Sequence, residues 1–241
     1  MEKKYKLTDE CINYKGHKLY RIQALKSFGI VKEGDFGGYV ESNGNLSHNR
    51  LCWVFGNAMV FGDAKVFGNA AVCGKAKVFG NAVVCGKANV YDEVNIYGNA
   101  MVYDNAKVYG NVKIYGNAEV YGNAKLFHNA TVYGYAKIFH NAEMYNIAKI
   151  YGNAKIYGNA IICGNAEIHK SSDYIVFKNW WSSGRYFTWT RSNNKWIVGC
   201  FYGTGEELIK KAYKDSEKSG REYERIVKYV ESILADDNYV E

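Results

Sequence analysis

Two histidines, His128 and His140, have the chemistry of a general base, because imidazole exchanges a proton near neutral pH. They are twelve residues apart in a stretch of sequence that repeats every six residues. If three hexads make one turn, that spacing places the two rings at different corners, so they cannot act as a pair within one chain. We therefore predict two exposed corner histidines and no catalytic residue. A base at a subunit interface is the alternative.

Cysteine thiols could bind a metal ion, and the chain has six of them. They are Cys11, Cys52, Cys73, Cys85, Cys163 and Cys200. None belongs to a CxxC pair, and five coils of the repeat, or about 24 Å, separate Cys73 from Cys163 in the same column. The spacing predicts neither a metal site nor a disulfide framework, and we expect no cofactor.

The C-terminal segment concentrates residue types that are common in binding sites. Four tryptophans and two arginines fall within seventeen residues, and a YGTG sequence precedes a predicted helix start, where free backbone amides can hold an anion. The predicted binding residues are Trp180, Trp181, Arg185, Trp189, Arg191, Thr204 and Gly205. In the alternative interpretation, most of the tryptophans form the core of the small domain itself.

These groups lie on or beside a repeat that occupies half the chain. From Val54 to Ile168 an aliphatic residue, or Met144, recurs every six positions, which makes twenty hexads. Tyr or Phe follows in sixteen of them, then mostly Gly and Asn, and the fifth residue is Ala in seventeen. The sixth is often Lys or Glu, which cannot be buried without partners. Because neighbours on a strand alternate between faces, the Ala and the aliphatic residue point inward and the aromatic residue points outward.

A short strand followed by a Gly-Asn corner predicts a triangular coil of three hexads that stacks on the next coil at about 4.8 Å. The pattern [LIV]-x-G-N-A-x resembles the hexapeptide-repeat family of left-handed parallel β-helices, and the handedness is what this resemblance implies. We therefore predict a mainly β protein, with a left-handed parallel β-helix, an N-terminal β cap and a small C-terminal α+β domain.

Outward aromatic residues eighteen positions apart lie above one another and form a ladder on each face. One ladder contains Tyr97, Tyr115, Tyr133 and Tyr151. Stacked rings stiffen a rod, and a contiguous apolar strip can also be an interface. We expect stiffening to be the main role, and we name this ladder as the candidate interface of a homotrimer, an association common among the proteins that the repeat resembles.

Three segments follow from the limits of the repeat. Residues 1–53 are predicted to be the N-terminal β cap, with a hairpin around Lys15 and Gly16, because an open solenoid end exposes unpaired edges. Residues 54–171 form the β-helix. Residues 172–241 form the α+β domain, with three strands and helices near 205–216 and 220–235. Thr204 with Glu207, and Ser219 with Glu222, have the spacing of capping boxes at the two helix starts.

The stretches GDFGGYVESNGNLS and GCFYGTGEEL, on either side of the repeat, resemble a group of phage- and prophage-associated β-helix proteins. The resemblance implies a phage setting and a counter-defence role. We predict a non-enzymatic binding or scaffold protein, in which a rigid rod presents the C-terminal domain to a host macromolecule or a small anionic ligand. The alternative is an acyltransferase of the hexapeptide-repeat type that uses acyl-CoA.

Charge bears on the partners that we expect. The net charge of +7 lies on residues 1–171, since residues 172–241 carry eleven basic and eleven acidic side chains. Lysines beside aromatic ladders could bind single-stranded nucleic acid, but they alternate with Glu119, Glu143 and Glu167, and we favour a solvated rod. No apolar run approaches the roughly 20 residues that span a bilayer, so we expect a cytoplasmic protein without a membrane partner.

Overall fold

The computed structural model describes residues 3–237, and its N-terminal part is an antiparallel sheet. β1 (Tyr5–Tyr14) and β2 (His17–Ala24) form the predicted hairpin, and β3 (Phe36–Val40) pairs with β2. Lys15 and Gly16, with φ of 50° and 85°, make the two-residue turn. Positive φ at both turn positions matches the twist of the two strands.

Within residues 53–168, twenty strands of two residues each wind into a parallel solenoid with three faces. The first face contains β5 (Met59–Val60), β8 (Lys77–Val78), β11 (Asn95–Ile96), β14 (Lys113–Ile114), β17 (Thr131–Val132), β20 (Lys149–Ile150) and β23 (Glu167–Ile168). The second face contains β4 (Trp53–Val54), β7 (Ala71–Val72), β10 (Asn89–Val90), β13 (Lys107–Val108), β16 (Lys125–Leu126), β19 (Glu143–Met144) and β22 (Ile161–Ile162). The third face contains β6 (Lys65–Val66), β9 (Val83–Val84), β12 (Met101–Val102), β15 (Glu119–Val120), β18 (Lys137–Ile138) and β21 (Lys155–Ile156). Partners lie eighteen residues apart, so the predicted β-helix is confirmed, while its handedness stays a prediction.

The interior of the solenoid is built from two hexad positions. Every first-position side chain from Val54 to Ile168, and every Ala or Val at the fifth position, is at most 1% exposed. The sixth-position side chains, such as those of Lys107 and Lys113, point to solvent. The inward and outward directions inferred from the sequence are therefore confirmed.

The stacking of coils begins before the regular repeat. β3 pairs in parallel with β5, and Leu46 forms a parallel bridge to Val66. Val40 and Leu46 are fully buried in the core of the solenoid. Eight residues separate Leu46 from Val54 instead of six, so this first coil lies outside the regular hexad period.

Corners of the solenoid need left-handed backbone at the third hexad position. Gly86 and Gly158 occupy the same corner four coils apart, each with φ of +68°. A Cβ atom on Gly86 would lie 2.6 Å from the backbone nitrogen of Asp104 in the next coil, whereas one on Gly158, in the last coil of that corner, would meet nothing within 4 Å. At Gly86 the absence of a Cβ atom therefore permits both the positive φ angle and the close stacking of the next coil.

The C-terminal region is an antiparallel sheet with two helices, as predicted. A 3-10 turn (Ser171–Asp173) leads to β24 (Tyr174–Lys178), β25 (Tyr186–Thr190), β26 (Lys195–Val198) and β27 (Phe201–Gly203), followed by α1 (Gly205–Asp215) and α2 (Glu217–Asp237). The predicted start of the second helix at Ser219 is wrong. The hydroxyl of Ser216 accepts the amide hydrogen of Ser219 at 3.1 Å, so Ser219 lies inside the helix.

The two faces of this sheet have different roles. Tyr174 and Val176 on one face contact the core of the solenoid. Phe187 and Trp196 pack with Val227 of α2 in a separate core. The sheet is therefore the layer between the solenoid end and the helices.

Side-chain hydroxyls of the C-terminal region close the last coil. Within the solenoid, each sixth-position amide donates to a carbonyl of the next coil, as Lys149 N does to Ala166 O at 2.8 Å. In the last coil, Lys155 N donates to Ser171 Oγ at 3.1 Å, Ile161 N to Thr188 Oγ1 at 3.0 Å, and Glu167 N to Ser192 Oγ at 2.8 Å. Each of the three faces thus ends on one hydroxyl, which satisfies an amide that has no further coil to bind.

Candidate binding site

Two of the three tryptophans predicted to bind a partner, Trp181 and Trp189, lie in the core of the C-terminal region together with Trp196. Trp181, Trp189 and Trp196 are 8%, 1% and 1% exposed. They pack with Phe187 and Tyr223, which is the alternative that the sequence left open. Trp181 and Trp189 therefore present almost no surface to a partner in this conformation.

One tryptophan and one arginine of the predicted set lie at the surface. Trp180 is 69% exposed and Arg185 is also exposed, on the loop of residues 179–185 that joins β24 to β25. Arg191 is half-buried, with its guanidinium carbon 5.9 Å from the centre of the Trp189 ring. The loop contains no acidic residue, so this surface is aromatic and basic.

The predicted anion site at Thr204 and Gly205 is occupied by the chain itself. Thr204 Oγ1 accepts the amide hydrogen of Glu207 at 3.2 Å, and the amide of Thr204 donates to Glu207 Oε2 at 2.7 Å, so the predicted capping box is confirmed. The backbone hydrogen bond from Thr204 lowers the pKa of Glu207, which favours a negative charge at the helix start. A Cβ atom on Gly205 would lie 2.6 Å from the Val227 side chain. Both residues serve the local fold, and the geometry disfavours an anion here.

The aromatic ladders are present, and the one named as a candidate interface is longer than predicted. It runs from Phe61 and Phe79 through Tyr97, Tyr115, Tyr133 and Tyr151, with ring centres 4.9–5.1 Å apart and planes within 6° of parallel. The four tyrosines are half-buried, because each ring is covered by its neighbours and shows its edge to solvent. Each stacked pair contributes about 0.5–1.5 kcal/mol beyond the area it buries. A subunit interface along this ladder stays a prediction.

At the sixth hexad position, Lys125, Lys137 and Lys149 are paired with glutamates of neighbouring coils. The Nζ–Oε1 distances are 2.7 Å for Lys125–Glu143, 2.7 Å for Lys137–Glu119 and 2.9 Å for Lys149–Glu167. The hydrogen bond from Lys137 holds the pKa of Glu119 below its usual range. Lysines paired in this way favour a solvated surface over a binding surface for single-stranded nucleic acid.

The two histidines lie at separate corners, with φ of 61° at His128 and 58° at His140. Both are exposed, and Nδ1 of His128 lies 3.1 Å from Oδ1 of Asn146. A shallow groove of about 470 Å³ runs past His128, and its lining holds amide, glycine and isoleucine residues. The structure does not bring the two histidines together.

The described residues contain neither a metal-ligand cluster nor a membrane-spanning helix. Within residues 3–236, no three His, Cys, Asp or Glu side chains converge as metal ligands do. Neither α1 nor α2 is long and apolar enough to cross a bilayer.

A cleft of about 450 Å³ opens where the third face meets the C-terminal sheet. Its lining consists of Tyr157, Gly158, Asn159, Ser171, Tyr174, Ile175, Val176 and Tyr186. Tyr157 and Tyr186 are 50% and 42% exposed, and the Lys178 ammonium lies 5.8 Å from the centre of the Tyr186 ring. The lining therefore combines tyrosine and aliphatic side chains with the polar side chains of Asn159 and Ser171, and the basic Lys178 lies beside Tyr186.

Two side-chain ladders of the solenoid end in this cleft. Tyr157 stacks on Phe139 at 5.5 Å with one side of its ring, and no ring follows on its other side in the described chain. Asn141 donates to Oδ1 of Asn159 at 3.3 Å, whereas the Nδ2 group of Asn159 has no acceptor among the described residues. The cleft thus offers an open aromatic side and an open amide donor to a ligand.

Sequence reasoning missed the cleft, although one signal pointed to it. Tyr157 is the last aromatic member of its column, so the far side of its ring had to be free or covered by the following segment. Tyr186 gave no such signal, because its position depends on how the C-terminal sheet docks on the last coil.

Comparison with known proteins supports the fold at the level of the repeat. A family model described as YdcK beta solenoid repeat matches residues 96–112, a segment slightly shorter than one coil. No curated protein matches the chain at a significant level.

Proposed function

We propose that this chain is a non-enzymatic binding protein whose solenoid is a rigid spacer and whose C-terminal end recognises a host macromolecule. The recognition surface consists of the cleft described above and the adjoining loop of residues 179–185. The observation that carries the proposal is the open end of the Tyr157 and Asn159 ladders beside a loop with exposed Trp180 and Arg185. Trp, Tyr and Arg are the residues most enriched in binding hot spots.

The chemistry of this surface favours a protein partner with an acidic segment. Arg185 and Lys178 are exposed and the loop between β24 and β25 holds no Asp or Glu, so acidic groups of a partner would meet only positive charge there. A ring of the partner would stack on Tyr157, and a carbonyl would accept from Asn159. The coils of the solenoid, by contrast, present nearly identical surfaces, which discriminate poorly among partners.

The phage origin, with the host-cell cytoplasm as the location, and the counter-defence role as an inhibitor rest on the resemblance of the flanking segments. The homotrimer rests on the resemblance of the repeat to the hexapeptide-repeat family. A small anionic ligand or a single-stranded nucleic acid would use the same aromatic and basic groups and is the alternative occupant of this surface.

The test is a quantitative pull-down from bacterial lysate with three full-length proteins. The wild type is compared with a Tyr157→Ala, Trp180→Ser double variant and with Tyr103→Ala, which removes a ring from the same ladder three coils away. We expect a protein that the wild type and Tyr103→Ala capture equally and the double variant loses. A partner that binds the double variant with full affinity would move the site to the ladders.

Calorimetry with acetyl-CoA separates this proposal from acyl transfer. We expect no binding heat, and we expect His128→Ala and His140→Ala to leave partner capture unchanged, because neither residue lies in the cleft. Micromolar binding of acetyl-CoA would contradict the proposal and support the acyltransferase.

A further inference from the structure

A buried lysine and a buried cysteine meet at the N-terminal end of the solenoid. Lys4 precedes β1 and is 1% exposed, while Cys52 precedes β4 and is fully buried. The Nζ atom of Lys4 lies 3.3 Å from Sγ of Cys52 and 2.7 Å from its carbonyl oxygen. It also lies 4.9 Å from the centre of the Phe28 ring. Two nucleophilic atoms 48 residues apart in the chain are therefore in direct contact.

The surroundings disfavour the charged form of the amine. Within residues 3–237 no carboxylate pairs with Lys4, and its polar partners are two carbonyl oxygens and the thiol. Burying an ammonium group without a counter-ion is strongly unfavourable. Burial accordingly lowers the pKa of Lys4 and raises the pKa of Cys52, which increases the share of neutral amine beside a thiol.

We propose that Lys4 and Cys52 form a covalent nitrogen–oxygen–sulfur cross-link when the protein is exposed to dioxygen. One N–H bond, one S–H bond and the O–O bond break, and one N–O bond, one O–S bond and two O–H bonds form. One oxygen atom stays in the bridge, and the other leaves as water with two hydrogens. Nitrogen and sulfur each lose two electrons, and dioxygen accepts all four.

A small oxidant can reach the pair through a thin cover. Sγ of Cys52 contacts the carbonyl oxygens of Ser47 and Asn49 in the loop that lies over it. Asn49, Arg50 and Leu51 of that loop are exposed. The cover is thus one loop thick, and opening it exposes the thiol without unfolding a coil.

The cross-link would attach the start of β1 to the first coil of the solenoid. Lys4 is otherwise held by hydrogen bonds to carbonyl oxygens of residues 50 and 52 and by its amide, which donates to Nδ1 of His48 at 3.2 Å. A covalent bond over 48 residues restricts the unfolded chain and so stabilises the N-terminal hairpin. Reduction would release it, as reductants release disulfides.

The experiment is intact-mass spectrometry of the full-length protein, purified without oxygen and then exposed to air. We expect a mass gain of one oxygen less two hydrogens, a tryptic peptide that joins Lys4 to Cys52, and a melting temperature several degrees higher. Dithiothreitol should reverse all three changes. Cys73→Ala is the matched control and should still form the cross-link.

Variants of Lys4 and Cys52 test the cross-link directly, and each variant is also checked for folding. Cys52→Ser and Lys4→Met should each abolish the joined peptide, and circular dichroism reports whether each variant is folded. In the wild type, an unchanged mass overturns the proposal. A gain of oxygen without loss of hydrogen also overturns it, because that gain indicates a sulfenic acid. A loss of two hydrogens alone overturns it as well, because that loss indicates a direct S–N or S–S bond.

Discussion

Val120 and Tyr121 are neighbours in sequence and lie on opposite sides of the solenoid wall. Val120 is fully buried in the core, and Tyr121 stacks between Tyr103 at 4.8 Å and Phe139 at 5.0 Å. We expect Val120→Asp to cost roughly 4 kcal/mol or more, because a buried charge would have no partner. Tyr121→Ser should cost about 1–3 kcal/mol through two lost stacking contacts. Equal loss of stability in urea unfolding would contradict the assigned directions.

Glu119 gives the solenoid a pH dependence that can be measured. Its carboxylate accepts hydrogen bonds from Lys137 and from Tyr103, the latter at 3.0 Å, and its pKa is lowered. The folded chain therefore binds this proton less readily than the unfolded chain, so the stabilisation is complete above the pKa of an unfolded Glu and is lost as pH falls further. We expect wild type to exceed Glu119→Gln in melting temperature at pH 7, with the gap closing below about pH 4.

Lys137→Met provides the control for this pH effect. When Lys137→Met is present in both proteins, the difference in melting temperature that Glu119→Gln causes at pH 7 should shrink. A difference that persists at pH 3, or that survives in the Lys137→Met background, would mean that lost packing and not charge explains it.

At the level of single residues, the sequence predicted well which side chains of the solenoid point inward. It predicted poorly which tryptophans of the C-terminal region are exposed. Charged residues at one hexad position determined which side chains point inward, because alternation along a strand leaves no other choice. Trp180 and Trp181 are adjacent and chemically identical, yet one is 69% and the other 8% exposed. That difference depends on the packing of Tyr223 and Phe187 around Trp181, which no local pattern records.

At the corners of the solenoid, the backbone of one coil lies close to that of the next. Gly86 and Gly158 share the same corner and the same φ, and they differ only in whether a coil lies beyond them. We expect Gly158→Ala to cost about 1–2 kcal/mol from φ alone. Gly86→Ala should cost about 1–3 kcal/mol more, because its Cβ would press on the backbone at Asp104. Matching losses in chemical denaturation would contradict the role assigned to stacking.

The sequence predicted the elements that follow a regular pattern. It did not predict an element whose start depends on which of two serines caps it, or a coil that departs from the regular period. Twenty hexads, the hairpin turn and the start of α1 follow from patterns of period and capping. The start of α2 was misplaced because Ser216 and Ser219 both qualify as caps, and Ser216 takes that role in the structure. The first coil was missed because a two-residue insertion between Leu46 and Val54 breaks the period.

At the scale of the whole molecule, three hydroxyls of the C-terminal region join it to the end of the solenoid. Thr188 is fully buried, and its Oγ1 accepts from the Ile161 amide, whereas Ser192 performs the same role at an exposed position. We expect Thr188→Val to cost about 1–3 kcal/mol, because it leaves the half-buried Ile161 amide without its partner. Ser192→Ala should cost less than about 0.5 kcal/mol, since water replaces the hydroxyl. Calorimetric unfolding measures both, and a larger loss for Ser192→Ala would show that the cap acts differently.

The number of hexads sets two things: the distance between the two ends of the molecule, and the rotation of one end relative to the other about the solenoid axis. Each hexad moves the chain from one face to the next, so removing one hexad would turn the C-terminal cleft by about a third of a revolution relative to the N-terminal hairpin. The same deletion shortens the solenoid by only about 1.6 Å, one third of the spacing between coils. Removing three hexads removes one full turn and restores the original relative orientation of the two ends. A partner held at both ends would therefore tolerate length changes of eighteen residues and reject changes of six, although every inward side chain stays inward in both.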